Sequence, residues 1–167
     1  MLDFAITGIG RCRTAWMAAF LTDGDVHCLH EFAWRCRKPE DFVTARVPGK
    51  ITGVADTLIW LADSIPARRT LVIHRDPSFA EKFSERVFGV KQDFRPMAER
   101  LRRVTGIHVE FDELDDRMEE IVWLLTGKDI DETRFDLFRR MKIEVVDPVA
   151  EASRPMPEYW RTRLCLQ

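Results

Sequence analysis

The stretch from Phe4 to Leu21 constrains this chain more than any other. An apolar run, Phe4-Ala5-Ile6, leads into Thr7-Gly8-Ile9-Gly10-Arg11-Cys12-Arg13 and then into Thr14-Ala15-Trp16-Met17-Ala18-Ala19-Phe20-Leu21. The run reads as a short buried strand, the glycines as a tight turn, and the Ala-rich segment as a helix. A strand that turns sharply into a helix aims several free backbone N–H groups, and the positive end of the helix dipole, at one point. Arg11 and Arg13 add two permanent charges there. The turn is therefore expected to hold phosphate or sulfate.

Known loop templates narrow the anion by exclusion. A Walker loop needs Gly-x-x-x-x-Gly-Lys-Ser/Thr, but counted from Gly8 its second Gly falls on Arg13 and its Lys on Thr14. The dinucleotide fingerprint also fails at Arg13, where its third Gly packs a helix against a strand. A phosphatase-type loop needs an Arg six residues after its cysteine, and the residue six after Cys12 is Ala18.

A second strong signal is Thr70-Leu71-Val72-Ile73-His74-Arg75-Asp76-Pro77. A continuous apolar run bounded by charge and Pro reads as a buried parallel strand, and Pro77 suits the first turn of a helix. Ligands of open α/β sheets bind outside the carboxyl ends of the strands, so Arg75 is expected on the same face as the first turn.

These two elements resemble those of the sulfotransferases, whose 5′-phosphosulfate loop runs from a strand through Gly-x-Pro-(Lys/Arg)-Ser-Gly-Thr-Thr-Trp into a helix. Aligned by its Arg and Trp, the chain keeps Gly8, Arg11, Thr14 and Trp16, and has Gly10 for Pro, Cys12 for Ser, Arg13 for Gly and Ala15 for the second Thr. The family also has a strand ending in Arg-(Asp/Asn)-Pro, followed by a helix with a Ser eight residues after the Arg; the Arg and Ser hold the 3′-phosphate. Here position 83 is Phe and Ser84 comes one residue late, with Ser78 as a fallback. The resemblance spans residues 4–145, including a late strand, an acidic-Leu turn, a long helix and Gly127. It implies 3′-phosphoadenosine 5′-phosphosulfate as co-substrate, bound by Gly10, Arg11, Cys12, Arg13, Thr14, Ala15, Trp16, Arg75 and Ser84, with Trp16 against the adenine. It implies Arg11 as the charge stabiliser and Glu31, in Leu29-His30-Glu31-Phe32, as general base, with His30 and His27 as alternatives. The family's late Arg-Lys-Gly segment is missing; Arg154, Arg161 and Arg163 are the candidate replacements.

Composition sets the outer bounds. With 167 residues, 46% apolar and 32% charged, the chain is ordinary for one soluble domain. A balance of 26 basic against 28 acidic residues argues against a dedicated nucleic-acid binder. Arg11 and Arg13 interrupt the N-terminal apolar run, so a signal peptide is not expected there. No run nears the ~18 residues that span a bilayer. Four irregularly spaced cysteines fit reduced thiols and a cytoplasmic location. His27, Cys28, His30 and Cys36 lack clean zinc-ligand spacing, acidic residues at 110–116 are ordinary at a helix start, and no metal is expected.

Periodicity and punctuation predict helices over 14–22, 57–64, after Pro77, from Phe94 to Arg103, over 118–126 and over 131–141. They predict extended segments over 26–32, 50–56 and 106–111, Asp56 as a helix cap, and a loop with a short helix over 33–49. The expected fold is a three-layer α/β, P-loop-type domain over 1–147, with a mainly parallel sheet of about four or five strands and helices on both faces. Residues 148–167 are expected to be an irregular tail, in which Tyr159-Trp160-Arg161 packs back on the body or meets a partner. The implied activity is sulfuryl transfer to an unidentified hydroxyl or amine. The alternatives are a P-loop nucleotide or small-molecule kinase, and a non-catalytic nucleotide-binding or scaffold protein.

Overall fold

A computed structural model describes residues 1–141, 143 and 156–165. Strands β1 (Leu2–Gly8), β2 (Val26–His30), β3 (Ile51–Ala55), β4 (Ala67–His74) and β5 (Ile107–Glu110) form one parallel sheet in the order β2-β3-β1-β4-β5. Phe4 lies opposite Gly53, Ile6 opposite both Ala55 and Leu71, and Ile73 opposite Val109. Ala5, Ile6, Val54, Ala55, Leu71, Val72 and Ile73 are fully buried. That burial explains why the central strands read as unbroken apolar runs: each is covered on both faces.

The strand order sets the layers. The chain leaves β1 through α1 (Thr14–Leu21) toward β2, and leaves β4 through α2 (Pro77–Phe88) and α3 (Arg95–Leu101) toward β5. These steps run in opposite directions across the sheet. Since parallel crossovers are right-handed, they place α1 on one face and α2 and α3 on the other. Helices α4 (Met118–Thr126) and α5 (Glu132–Arg139) follow β5; α4 packs on β1 and β4, and α5 packs against α1. Trp16 and Phe20 of α1 meet Phe135 and Phe138 at ring separations of 5.5–6.4 Å, and Arg134 donates to the Ala19, Phe20 and Thr22 carbonyls. Five parallel strands between two layers make the α/β fold that the apolar runs implied.

The irregular parts depart from expectation. Instead of a helix over 57–64 there is one 3₁₀ turn, Ile59–Leu61. Its three residues are all buried, and Asp56 draws the chain tight just before them by accepting from the Leu58 N–H. Two 3₁₀ segments, Phe32–Arg35 and Pro39–Ala45, stand where a loop and short helix were expected. The described part of the tail is not irregular: α6 (Glu158–Cys165) packs against Ile59–Leu61. Trp160 is fully buried against Phe42 and donates to the Ala33 and Cys36 carbonyls at 3.0 Å. Among the described residues no helix is long and apolar enough to cross a membrane.

Gly53 is where this packing is tightest. A Cβ there would lie 2.0 Å from Cε2 of Phe4, a ring with no exposure. Overpacking a filled core destabilises by about 1–3 kcal/mol. Gly53→Ala is therefore expected to lower unfolding stability by about 2 kcal/mol in urea titration, with part recovered when Phe4→Leu is added. Unchanged stability in Gly53→Ala would contradict this packing.

Candidate functional site

The connections leaving β1 and β4 diverge, so a crevice opens between the carboxyl ends of these adjacent strands. Gly8 closes it from below: a Cβ there would stand 2.7 Å from the Ile73 carbonyl oxygen and 2.8 Å from Cβ of Cys12. Only glycine lets the turn lie this close to β4. Beyond it, Arg11 (φ 71°) and Arg13 (φ 61°) both adopt left-handed backbone. Non-glycine residues pay a steric penalty for that conformation, and here two of them bracket Cys12. Such alternation turns successive N–H groups toward one side, a concavity suited to an anion. Arg13 caps α1 without a side-chain hydrogen bond to its first amides.

Three guanidinium groups converge on this turn. Arg75, one residue beyond β4, donates from Nη1 to the Arg11 carbonyl at 2.5 Å. Its guanidinium lies between the rings of Phe79 and Phe111, 4.0 and 3.8 Å from their centres, and its buried Nε has no hydrogen-bond partner. Burial, with the charges of Arg11 and Arg13 adding to it, holds the Arg75 pKa below its usual range. Arg11 lies 4.7 Å from the centre of the Phe83 ring. Arg13 donates to Asp115 at 2.5 Å and lies 4.4 Å over Trp16. Each guanidinium rests on an aromatic face, an attraction worth about 0.5–1 kcal/mol at exposed sites.

The candidate base region adjoins the same turn. Glu31 leaves β2 with a left-handed backbone (φ 50°), and its Oε1 lies 3.8 Å from His30 Nε2. That nitrogen is 3.4 Å from Oγ1 of Thr14, the first residue of α1. His30 thus stands between Glu31 and the helix start. His27 sits three residues back along β2, about 10 Å from the carboxyl end. Buried Asp56, at the end of β3, accepts from the N–H of Ala33 at 2.6 Å and of Leu58 at 2.8 Å, fixing the segment after Glu31. Burial raises its pKa to about 6 against the pull of those two bonds.

Other expected residues lie elsewhere. Trp16 is 3% exposed, stacked on Phe20 and donating to the Phe138 carbonyl at 2.9 Å. Its faces are covered by protein, so it is a core residue and not a platform for a base. Ser84 is buried with Ala80 on the inner side of α2, while Phe83, eight residues after Arg75, carries the side chain that meets the turn. The Ser78 N–H is capped by Asp76 at 2.8 Å. Ala15 is half-buried beside Thr14, and Gly10 has open space, with only Ala80 at 4.0 Å from a built Cβ. Cys12 is fully buried and burial raises its thiol to about 12, which leaves it a packing residue. Arg163 bonds to the Leu61 carbonyl and Asp63, away from the turn; Arg161 is exposed on α6, and Arg154 lies outside the described residues. Among the described residues no group of three or more His, Cys, Asp or Glu could hold a metal ion. Phe79, Phe83, Phe111 and Asp115 were not anticipated. The spacing of Phe79 and Phe83, four apart on the helix after Arg75, was the one local hint.

A cavity of about 490 Å³ adjoins Arg75 and is lined by Ile9, His74, Asp76, Arg95, Arg102 and Glu110, among others. His74 forms its inner wall with an unusual partner: its Nε2 lies 2.6 Å from Nδ1 of His108, whose own Nε2 is 2.8 Å from the Val104 carbonyl. A carbonyl only accepts, so His108 carries a proton on Nε2, and with His108 neutral it is His74 that donates, to the Nδ1 lone pair. No protein-family model, curated protein or solved structure matched the chain in comparisons with all three.

Burial first, then His108 and Arg102, lowers the His74 pKa, with Glu110 opposing them. The folded state therefore takes up the His74 proton less readily than the unfolded chain. The stability it contributes is complete above the ordinary value of 6.5 and declines as pH falls below it. A single proton sets a limiting slope of about 1.4 kcal/mol per pH unit. Urea unfolding between pH 7 and pH 5 is expected to show a smaller acid loss for His74→Gln than for the parent; identical slopes would contradict this.

Proposed function

We propose that the chain is a sulfotransferase-like protein that binds 3′-phosphoadenosine 5′-phosphosulfate at the β1 turn and passes its sulfuryl group to an acceptor hydroxyl or amine. One observation carries this proposal: a turn with two left-handed arginines and a third arginine from β4 converge at the carboxyl ends of adjacent strands. The arrangement offers two anion positions. Backbone N–H groups and Arg11 serve the 5′-phosphosulfate, and the Arg75 guanidinium, beside the same turn, serves the 3′-phosphate. The acceptor oxygen or nitrogen attacks sulfur, the bond from sulfur to the phosphate oxygen breaks, and adenosine 3′,5′-bisphosphate leaves. Arg11 and the turn amides stabilise the charge that grows on that phosphate. Glu31 takes the acceptor's proton, with His30 beside it.

A non-catalytic nucleotide-binding protein is the second reading, favoured by three specific features. Trp16 is buried, Arg13 is engaged by Asp115, and Phe83 stands where a phosphate-binding Ser was sought. Binding without turnover would mark that case, and a magnesium requirement would mark a kinase.

Calorimetric titration tests the site. A charge-assisted bond to phosphate is worth about 1.5–3 kcal/mol. Adenosine 3′,5′-bisphosphate should therefore bind at least about tenfold more tightly than AMP or ADP, and Arg75→Ala should erase that preference. Equal affinities for AMP and the bisphosphate in the parent protein would contradict the assignment of Arg75 and the activity built on it.

A further inference from the structure

The opposite end of the sheet carries a second basic concavity, far from the β1 turn. A cavity of about 770 Å³ lies where the amino ends of β4 and β5 meet the end of α3 and the segment after Leu61. Arg68, Arg100 and Arg103 stand around it over an apolar floor of Ile65, Val104 and Ile107. Arg103 is exposed, and its guanidinium has no partner among the described residues. Arg100 lies 5.2 Å over the Trp60 ring, again with no acidic partner among them. Arg68 is 66% exposed, and its ion pair is a long one, 3.8 Å to Asp3. Arg69 turns away and donates to the Leu125 carbonyl. Asp63, the one acidic residue in the lining, is already bonded by Arg163 at 2.5 Å. The chain as a whole has more acidic than basic residues, so this local excess is not a by-product of a cationic surface.

We propose that this groove docks an acidic peptide segment of a partner protein, with carboxylates on Arg68, Arg100 and Arg103 and an apolar side chain against Ile65, Val104 and Ile107. Guanidinium forks match carboxylates and phosphates alike, but a bare phosphate would leave the apolar residues between the arginines uncovered, whereas a peptide side chain covers them. The backbone concavity that cradles phosphate needs alternating right- and left-handed residues, and no residue lining the groove has a positive φ. At the β1 turn that backbone is present; here charge stands without it. The volume lies within the range of about 300–1,000 Å³ typical of ligand clefts. This proposal is independent of what binds at the other end of the sheet.

Fluorescence anisotropy with a labelled peptide, Glu-Glu-Leu-Glu-Glu-Trp, tests it, with Gln-Gln-Leu-Gln-Gln-Trp as the neutral control. The acidic peptide should bind saturably, weaken as salt rises, and lose about tenfold in affinity in Arg100→Glu/Arg103→Glu. Arg100→Gln/Arg103→Gln, a milder pair for use if the charge reversal does not fold, should lose about threefold. Arg11→Ala should leave binding unchanged. Equal binding of the neutral peptide, indifference to both Arg100/Arg103 variants, or loss in Arg11→Ala would each overturn the proposal. Displacement of the peptide by inorganic triphosphate more readily than by an acidic peptide of equal charge would also overturn it, marking the groove as a phosphate site.

Discussion

The hydrogen bond from Arg75 to the Arg11 carbonyl couples the two turns on which the candidate site depends. Its acceptor is available because Arg11 is left-handed, which turns that carbonyl toward β4. Its donor is in reach because Gly8 lets the β1 turn sit against the Ile73 carbonyl. Left-handed backbone at two non-glycine residues costs about 1–3 kcal/mol each, and a hydrogen bond from a charged donor returns about 1.5–3 kcal/mol. The turn is thus held by β4 as much as by its own sequence. The sheet order is what makes this possible, since it seats β1 directly beside β4.

Three arginines in one crevice repel one another, and an aromatic ring packs against each of them. Phe111 lies under Arg75 and within 6.0 Å of Arg13; Phe79 and Phe83, on successive turns of α2, take Arg75 and Arg11. Ring faces hold a guanidinium without neutralising it. Asp115 balances Arg13, and Cys12, though it lies near Arg75, is too deeply buried to ionise.

How much of this was legible in the sequence depended on distance along the chain. The β1 turn and the Arg75 strand were readable because apolar runs, glycines and Pro77 act locally, and the parallel sheet followed from them. Ring partners such as Phe111 were not, because residues about 100 positions apart meet only once the sheet is assembled; Arg13 and Asp115 are such a pair. Trp16 misled for the same reason. Its α1 neighbours gave no sign that Phe135 and Phe138 would close over it from a helix near the other end of the chain. The 57–64 segment reads as a helix from Asp56 as its cap, but the Asp56 carboxylate also takes the distant Ala33 N–H, a contact that sequence alone does not reveal, and the chain there forms only a short turn. In the tail, prolines suggested irregular backbone, while Trp160 finds its place by reaching two distant carbonyls.

If the crevice between β1 and β4 is an anion site, a nucleotide carrying two phosphates should perturb the backbone there. Amide chemical-shift mapping of the labelled protein, titrated with adenosine 3′,5′-bisphosphate, tests it most directly. Saturable shifts should concentrate at Gly10 to Thr14 and at Arg75 to Phe79, with Arg68 to Thr70 and Thr105 to Ile107 unmoved. Absence of saturable shifts at the β1 turn, or their concentration at the opposite end of the sheet, would contradict it.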